Sequence, residues 1–525
     1  MRGRKIAGGL LIVVVLATLS SCSSQRRSLS PPQHPNIVFL LTDDLDVHEM
    51  AYMPHVRQLL TDQGVSFTHY YVSDSLCCPS RTTILRGQYA HNTGVKSNGD
   101  VNGGFQTAYK LGVEKSTIGT WLRDGGYRTA YIGKYLNKYP ATAKLTYVPP
   151  GWDLFASAVG GNPYSEYNYA LNQDSYVSTF GDKPADYGTT VYIDKAEQFI
   201  RSTAGKSFFL YLNVYAPHQP ATPAPADVNK FDNATAPKSP SFNVHVPGKP
   251  SWLSHLPHLG RGGINDLDRL YRDRIRSLQA VDRGVVNLIA TLRQTGQLAN
   301  TYFVFSSDNG FHLGQFRMPA GKETAYESDI RVPLIVRGPG VPKGEISNFM
   351  TGNIDLAPTF AQLAGVAPAS FVDGTSFASL IRNPLTDQHP RHSYLLEHWR
   401  SLRSVSFGSE VGPNEPSDLD NGAGPRGQHL KAVVEVTGPG SVPDYHGVRT
   451  EHYLYVEYPN GDRELYATDH DPYEMHNVVD EPVYAPLVAR LHILVHGLST
   501  CREARCRALE DAPVRGPAAA PPNGT

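Results

Sequence analysis

Asn36-Ile-Val-Phe-Leu-Leu-Thr42 is an uninterrupted apolar run that stops abruptly at Asp43-Asp44. A strand with one wet face alternates apolar and polar residues, so this run reads as a strand covered on both faces, inside a parallel sheet. The layout recurs: Tyr127-Arg-Thr-Ala-Tyr-Ile132 leads into Gly133-Lys134, Phe208-Phe-Leu-Tyr-Leu-Asn-Val214 into Pro217-His218, and Thr301-Tyr-Phe-Val-Phe305 into Asp308-Asn309. Each strand delivers polar residues at its C-terminal end. Between them, 117–122 reads as a helix, and 265–294 carries Leu267, Leu270, Ile275, Leu278, Val281, Val285 and Leu288 at helical spacing. Strands alternating with helices predict an α/β domain with its ligand at the carboxyl edge of the sheet.

The chain has 525 residues and 48 Lys+Arg against 49 Asp+Glu, for a formal charge of −1. That length predicts two or more domains, or one large domain with an appendage, and a substantial core. The charge balance excludes a sequence-independent nucleic-acid binder, which needs a basic surface to neutralise phosphates. Any anionic ligand must then be met by a local cluster of cations. Two stretches break the strand–helix rhythm: 222–263 is rich in Pro, His and Gly, and 401–444 in Gly, Pro and Ser, so both are expected to be loop insertions. From Tyr445 onward, Gly447-Val-Arg-Thr-Glu-His-Tyr-Leu-Tyr-Val-Glu-Tyr458, Pro459-Asn-Gly461 and Arg463-Glu-Leu-Tyr466 read as antiparallel strands joined by a turn. A small α+β subdomain is expected over 445–510, with a frayed Pro/Ala-rich tail over 511–525.

At the N-terminus, Arg2, Arg4 and Lys5 precede an apolar run from Ile6 to Leu16 that ends in Leu19-Ser-Ser-Cys22. Charged, apolar and small residues in that order predict an export signal over 1–21. The ending resembles the bacterial lipoprotein box, which implies a lipid on Cys22, a polar tether over 22–35 and a location on the cell surface or facing the periplasm. An ordinary signal peptide is the alternative, with a secreted product and Cys22 incidental. Lipid is the only membrane attachment expected.

The sharpest local feature is Leu76-Cys-Cys-Pro-Ser-Arg-Thr-Thr-Ile-Leu-Arg-Gly87. Pro79 suits the first turn of a helix running to Leu85, which sets Cys77 where backbone N–H groups and the helix dipole favour an anion, with Arg81 beside it. A structural cysteine pair or vicinal disulfide is the bland reading of the dipeptide. Cys-x-Pro-Ser-Arg, however, resembles the maturation signature of the type I sulfatases. That resemblance implies an alkaline-phosphatase-like core, with a large mixed, mostly parallel sheet flanked by helices, in a catalytic domain over 36–400. It also implies that Cys77 is oxidised to formylglycine by a separate maturation enzyme. The likeness runs on through Leu41-Thr-Asp-Asp44, Gly133-Lys134, Ala216-Pro-His218, Ser307-Asp-Asn-Gly310, Lys322 and Arg331-Val-Pro333. It is nearest to the N-acetylglucosamine-6-sulfatases and heparan-sulfate 6-O-endosulfatases, through Gly133-Lys-Tyr-Leu-Asn137 and His312-Leu-Gly-Gln-Phe316. The ending, through Asp469-His-Asp-Pro-Tyr-Glu-Met-His-Asn477 and Cys501 to Cys506, agrees.

Read as chemistry, Asp43, Asp44, Asp308 and Asn309 are hard oxygen donors suited to Ca²⁺ or Mg²⁺. Resemblance favours Ca²⁺ and adds position 77 as a ligand. Taken singly, Asp-Asp and Asp-Asn-Gly are turn sequences, and Lys134, His218 and Lys322 are ordinary surface residues. Together they are a cationic set for a doubly anionic product. Sulfate-ester cleavage places charge on equatorial oxygens and on a leaving alkoxide, which metal, Arg81, Lys134 and Lys322 can stabilise. The resemblance implies that one hydroxyl of the hydrated aldehyde at position 77 attacks sulfur, and that the other then collapses to expel sulfate. His218 or Lys322 protonates the leaving oxygen. Many sulfatases carry histidine two residues after the Gly-Lys lysine; here Leu136 stands there, followed by Asn137. His91 is either its functional replacement or a buried structural histidine, and His312 and Asn137 are expected to touch substrate. Cys78 is expected to be a small buried neighbour, and Cys501 and Cys506 to form a short disulfide loop.

The expected substrate is a sulfated sugar or glycosaminoglycan, 6-O-sulfated N-acetylglucosamine first. Phosphodiester or phosphonate-ester hydrolysis on the same scaffold is the first rival. A non-catalytic surface lipoprotein that binds sulfated glycans is the second.

Overall fold

Every residue of Asn36–Thr42 (β1) is buried in the computed structural model, and the strand lies inside a ten-stranded sheet. The structure describes residues 34–99, 101–386, 391–401, 441–514 and 516. The export signal, most of the tether including Cys22, most of the 401–444 stretch and the end of the tail lie outside the described residues.

The other strands of this sheet are Val65–Phe67 (β2), Arg128–Gly133 (β3), Leu154–Gly161 (β4), Tyr169–Gln173 (β5), Tyr176–Phe180 (β6), Phe208–Asn213 (β7), Thr301–Ser307 (β8), Leu334–Arg337 (β9) and Glu345–Ser347 (β10). Their order is β10-β2-β9-β8-β1-β7-β3-β4-β5-β6. The run β4-β3-β7-β1-β8 is parallel, and β9, β5 and β6 pair antiparallel around it. All four strands read from their apolar runs fall in the parallel centre.

Alternation along β1 explains the continuous run. Ile37, Phe39 and Leu41 face one core with Ile84, Leu85, Leu122 and Phe360. Val38 and Leu40 face another with Val191, Ile193, Leu278, Val281 and Leu288. Helices therefore cover both faces, and each such side chain removed from water contributes on the order of 1.5–3 kcal/mol. The long helix spans Arg261–Gln294 and the short one Ile118–Asp124. Leu41 pairs with Asn213, and Thr42 with Ser307. The ends of β1, β7 and β8 are thus level, and the polar residues that follow them emerge at one edge.

The smaller unit is a four-stranded antiparallel sheet of Ser393–His398, Tyr445–Thr450, Tyr453–Glu457 and Arg463–Ala467, with helices at Ala485–Leu498 and Ala504–Glu510. Its first strand corrects the expected boundary. Ser393–His398 falls within 36–400, yet it pairs with Tyr445–Thr450 in the register His398 to Tyr445. Its partner lies beyond the long 401–444 stretch, so local sequence reads it as one more core strand. Cys501 and Cys506 are disulfide-bonded. The 222–263 stretch is mainly irregular and is pinned to the site side of the molecule, through Phe316 N–H to the Ser241 carbonyl and Asn243 N–H to the Gly314 carbonyl, both 2.7 Å. Among the described residues no helix is long and apolar enough to cross a membrane.

Candidate active site

The helix Cys77–Arg86 begins at the sheet edge, with Pro79 in its first turn and Cys77 through Leu85 all buried. Asn98 Oδ1 accepts from the Cys78 N–H at 2.8 Å, capping one of the donors that a helix start leaves unpaired. Cys77 Sγ lies 3.5 Å from Asp43 Oδ1 and 4.0 Å from Asp44 Oδ1. Cys77 and Cys78 are both buried and neither is disulfide-bonded, so the adjacent pair is not a vicinal disulfide.

Asp43 and Asp44 reach the same point because the chain turns sharply at the end of β1. Asp44 sits at φ 66°, a left-handed conformation that costs a non-glycine residue free energy and is least unfavourable for Asp and Asn. Its N–H donates to Asp308 Oδ1 at 3.1 Å, and its carbonyl accepts from Arg274. Arg274 is held in turn by Glu49, at 2.7 Å from each carboxylate oxygen.

Three cations and an imidazole converge on these carboxylates. Lys134 Nζ donates to Asp43 Oδ2 at 2.7 Å, and Lys322 Nζ to Asp44 Oδ1 at 2.7 Å. Arg81 Nε donates to Asp308 Oδ2 at 2.8 Å, and Arg81 is anchored further by Asn213 Oδ1 at 3.1 Å. His218 Nε2 lies 3.6 Å from Asp44 Oδ2. Burial raises the Asp43 pKa, but Lys134, His218, Arg81 and Lys322 outweigh it and hold the carboxyl well below the usual carboxylate range. Burial pushes the Cys77 thiol well up, and Lys134 and Lys322 do not offset it. An unmodified Cys77 is therefore a neutral thiol at neutral pH, unfit as a nucleophile.

The position of Lys134 depends on Gly133. At φ 100°, a Cβ on this residue would lie 1.6 Å from the Asn213 carbonyl oxygen, so only glycine lets the chain turn out of β3 here.

The residues present fit a divalent cation. Ligand atoms of Asp43, Asp44, Cys77 and His218 lie within 4.8 Å of one another. Asn309 Oδ1 is buried with no hydrogen-bond partner among the described residues, while its Nδ2 donates to Asp44 Oδ1 at 2.7 Å. An oxygen-rich set with an unspent amide oxygen suits a hard ion such as Ca²⁺. Asp308 stands just behind: its oxygens accept from the Asp44 and Asn309 amides and from Arg81.

The expected substrate residues separate. His312 is buried beside the Asp308-Asn309 turn, with Nδ1 2.9 Å from Asp329 Oδ2. Asn137 is buried with neither amide atom hydrogen-bonded among the described residues, and lines a small cavity with Lys134, Ser157, Tyr164 and Tyr215. Leu136, standing where many relatives have histidine, packs into the hydrophobic core. His91 is not at this centre. Its Nδ1 lies 2.7 Å from Glu397 Oε2 and its Nε2 3.0 Å from the Cys501 carbonyl, so both ring nitrogens are spent on structure. The buried structural alternative describes it, because no ring nitrogen is left for chemistry.

Sequence reading passed over Tyr164, whose ring lies 4.5 Å from that of His218 and 4.9 Å from Lys134 Nζ. It also passed over Arg274, Glu49, Asn213 and Asp329. Asn213 carried a signal, as a polar residue ending an apolar strand; Tyr164, in the short 3-10 helix Pro163–Ser165 before β5, carried none.

Comparison with known proteins agrees with this geometry. The sulfatase family model matches residues 35–366. N-acetylglucosamine-6-sulfatase of Capra hircus is 32% identical over 497 residues, 90% of this chain and 85% of the relative. A Caenorhabditis elegans homolog of extracellular sulfatase Sulf-1 is 38% identical over 388 residues, and this chain spans 53% of its length. Another, from Drosophila melanogaster, is spanned over 37%. A solved protein in complex with its substrate D-glucosamine-2-N,6-O-disulfate shares the fold at TM-score 0.69 and 22% identity, over 91% of this chain and 99% of that one. A phosphonate monoester hydrolase from Silicibacter pomeroyi also shares it, at TM-score 0.62 and 22% identity. These solved neighbours share the α/β core with the chain, and the sequence relationship supplies its family: the chain belongs to the sulfatase family.

Proposed function

We propose that this protein is a sulfuric ester hydrolase that removes sulfate from a sulfated carbohydrate, first the 6-O-sulfate of N-acetylglucosamine or of a glycosaminoglycan bearing it. The observation that carries the reading is the setting of Cys77: a buried thiol at a helix start, 2.8 Å from Lys322 Nζ and facing two carboxylates. A neutral thiol there has no use as a nucleophile. Its oxidised form, formylglycine, would supply a hydrated aldehyde whose second hydroxyl can release the sulfate. Both hydroxyls of that hydrate would be carried on Cβ of position 77, one of them in place of the sulfur, and a formylglycine-generating enzyme is the partner that would mature it.

Asp43, Asp44 and Asn309, with Asp308 and position 77, are the proposed holders of Ca²⁺, which when bound would polarise a sulfate oxygen and stabilise charge developing on it. Mg²⁺ fits less well, since it favours near-ideal octahedral geometry with several waters. Arg81 and Lys134 hold position 77 and the carboxylates in register and offset the anionic product. His218 and Lys322 flank Asp44 and are the candidate proton donors to the leaving sugar oxygen. His312, oriented by Asp329, and Asn137 are proposed to meet the substrate.

Export fits the Cys501–Cys506 disulfide, which persists in an oxidising compartment. With it we place the chain as a bacterial surface or periplasm-facing lipoprotein anchored through Cys22.

The test is sulfate release by the matured enzyme from N-acetylglucosamine-6-sulfate, compared with turnover of an aryl sulfate, a phosphodiester and a phosphonate monoester. Sulfate esters should be preferred in kcat/KM. Dominant phosphodiester or phosphonate hydrolysis would replace this reading with the rival one.

A further inference from the structure

A second group of buried polar side chains lies against the catalytic residues and is not used by the chemistry above. Asp74 is fully buried three residues before Cys77, and neither carboxylate oxygen makes a hydrogen bond among the described residues. His398, 1% exposed at the end of the first strand of the small sheet, likewise has neither ring nitrogen hydrogen-bonded. Its Nδ1 is 3.8 Å from Asp74 Oδ1 and its Nε2 3.9 Å from Glu323 Oε2, close but too long for hydrogen bonds. Buried polar groups are normally paired, so an acid and an imidazole left unpaired together call for an explanation.

Their placement supplies one. Glu323 follows Lys322, the residue that touches Cys77, and its N–H donates to the Ser75 carbonyl at 3.2 Å. Ser75 Oγ donates to the Thr324 carbonyl at 2.8 Å, and Glu397 N–H to the Ser73 carbonyl at 2.8 Å. Three segments, 73–77, 322–324 and 397–398, are thereby laced side by side at the catalytic end. Glu323 is held at φ 83°, a conformation unfavourable for glutamate, and its side chain is 32% exposed, which makes it the rim of the group. Thr324 donates through N–H and Oγ1 to Asp329 Oδ2, the oxygen that also orients His312. The small sheet is therefore no mere appendage, since it brings His398 to the site.

We propose that Asp74 and His398, with Glu323 at the rim, form a pocket that reads a pair of neighbouring ring hydroxyls on the sugar whose sulfate is removed. The inference rests on the sulfated-carbohydrate reading above. Burial and the nearby Glu397 push the Asp74 carboxyl well above the usual carboxylate range, so it offers an O–H donor beside its acceptor oxygens; a neutral imidazole adds one donor and one acceptor, so the pair matches two adjacent hydroxyls, groups that both give and take hydrogen bonds. Burial favours the uncharged imidazole of His398, as that task requires. A pocket built to hydrogen-bond a hydroxyl rejects the analogue that lacks it, because the pocket's own groups are left unpaired again.

The experiment measures kcat/KM of matured wild type, Asp74→Ala and His398→Gln on N-acetylglucosamine-6-sulfate, its 3-deoxy and 4-deoxy analogues, its C4 epimer and an aryl sulfate. Wild type should disfavour at least one deoxy analogue by tenfold or more, roughly the smallest effect of losing one well-made hydrogen bond to substrate. In either variant the parent sugar should fall to the level of that analogue, so that the preference between the two disappears and the ratio of sugar to aryl sulfate drops by about the same factor. A structural role alone would lower both substrates in proportion and leave the deoxy preference intact; that result overturns the proposal. Sugar turnover by wild type without any deoxy preference overturns it too, while leaving the sulfatase reading in place. Absence of sugar-sulfate turnover beside activity on other esters removes that reading, and this inference with it. Should Asp74→Ala fail to fold, His398→Gln carries the same comparison.

Discussion

Lys322 Nζ lies 2.8 Å from Cys77 Sγ and 2.7 Å from Asp44 Oδ1, so one ammonium bridges the proposed site of oxidation and a proposed metal ligand. Replacing it removes a positive charge from the point where charge develops. Lys322→Ala should lower kcat by about 10²- to 10³-fold, the usual cost of one lost electrostatic donor at a reacting oxyanion. Steady-state rates on an aryl sulfate decide this, and a change below about threefold would remove Lys322 from the mechanism.

A hard-cation site predicts a particular response to chelation. Calcium removal should abolish turnover and lower the unfolding temperature, and Ca²⁺ should restore both more effectively than Mg²⁺. In Asp43→Ala the Ca²⁺-dependent rise in unfolding temperature should vanish. A rise that persists unchanged would place the ion elsewhere.

Gly133→Ala tests how Lys134 is aimed. The new Cβ would stand 1.6 Å from the Asn213 carbonyl oxygen at φ 100°, so the turn out of β3 must shift. A loss of at least about 1–3 kcal/mol is expected from denaturant unfolding, together with lower activity. Unchanged stability would mean that the close approach is relieved cheaply.

His91 should matter for stability at low pH and little at high pH. Its two ring nitrogens face acceptors only, Glu397 and the Cys501 carbonyl, so the bound form carries both protons. Burial opposes that charge, but Glu397 outweighs it and pushes the pKa up to about 9. A raised histidine pKa gives stabilisation that is complete below the unfolded value, about 6.5, and is lost as pH rises through about 9. His91→Ala should therefore cost up to about 3 kcal/mol near pH 6 and much less near pH 10. A pH-independent cost would show that the ring acts through packing alone.

The centre of the fold could be read from the sequence because its strands are buried on both faces and so carry long apolar runs. Asp43, Asp308 and Lys134 stood out for the same reason, as polar residues closing such runs. Strands β2 and β10, three residues each, are too short for any period to show. Ser393–His398 hides its true partner because that partner follows an unpatterned stretch. The supporting shell was also hidden: Arg274 meets Glu49 across 225 residues, and Arg81 meets Asn213 across 132, pairings that no local pattern encodes. Leu136 and His91 show the converse, where a position taken from a family pattern or a suggestive motif is absorbed by core packing or by a structural ion pair.

Oxidation of Cys77 is the claim on which the chemistry depends, and the mass of the tryptic peptide ending at Arg81 tests it most directly. A preparation that turns over sulfate esters should yield that peptide lighter by the difference between a thiol and an aldehyde. An intact thiol in a fully active preparation would contradict the proposed nucleophile.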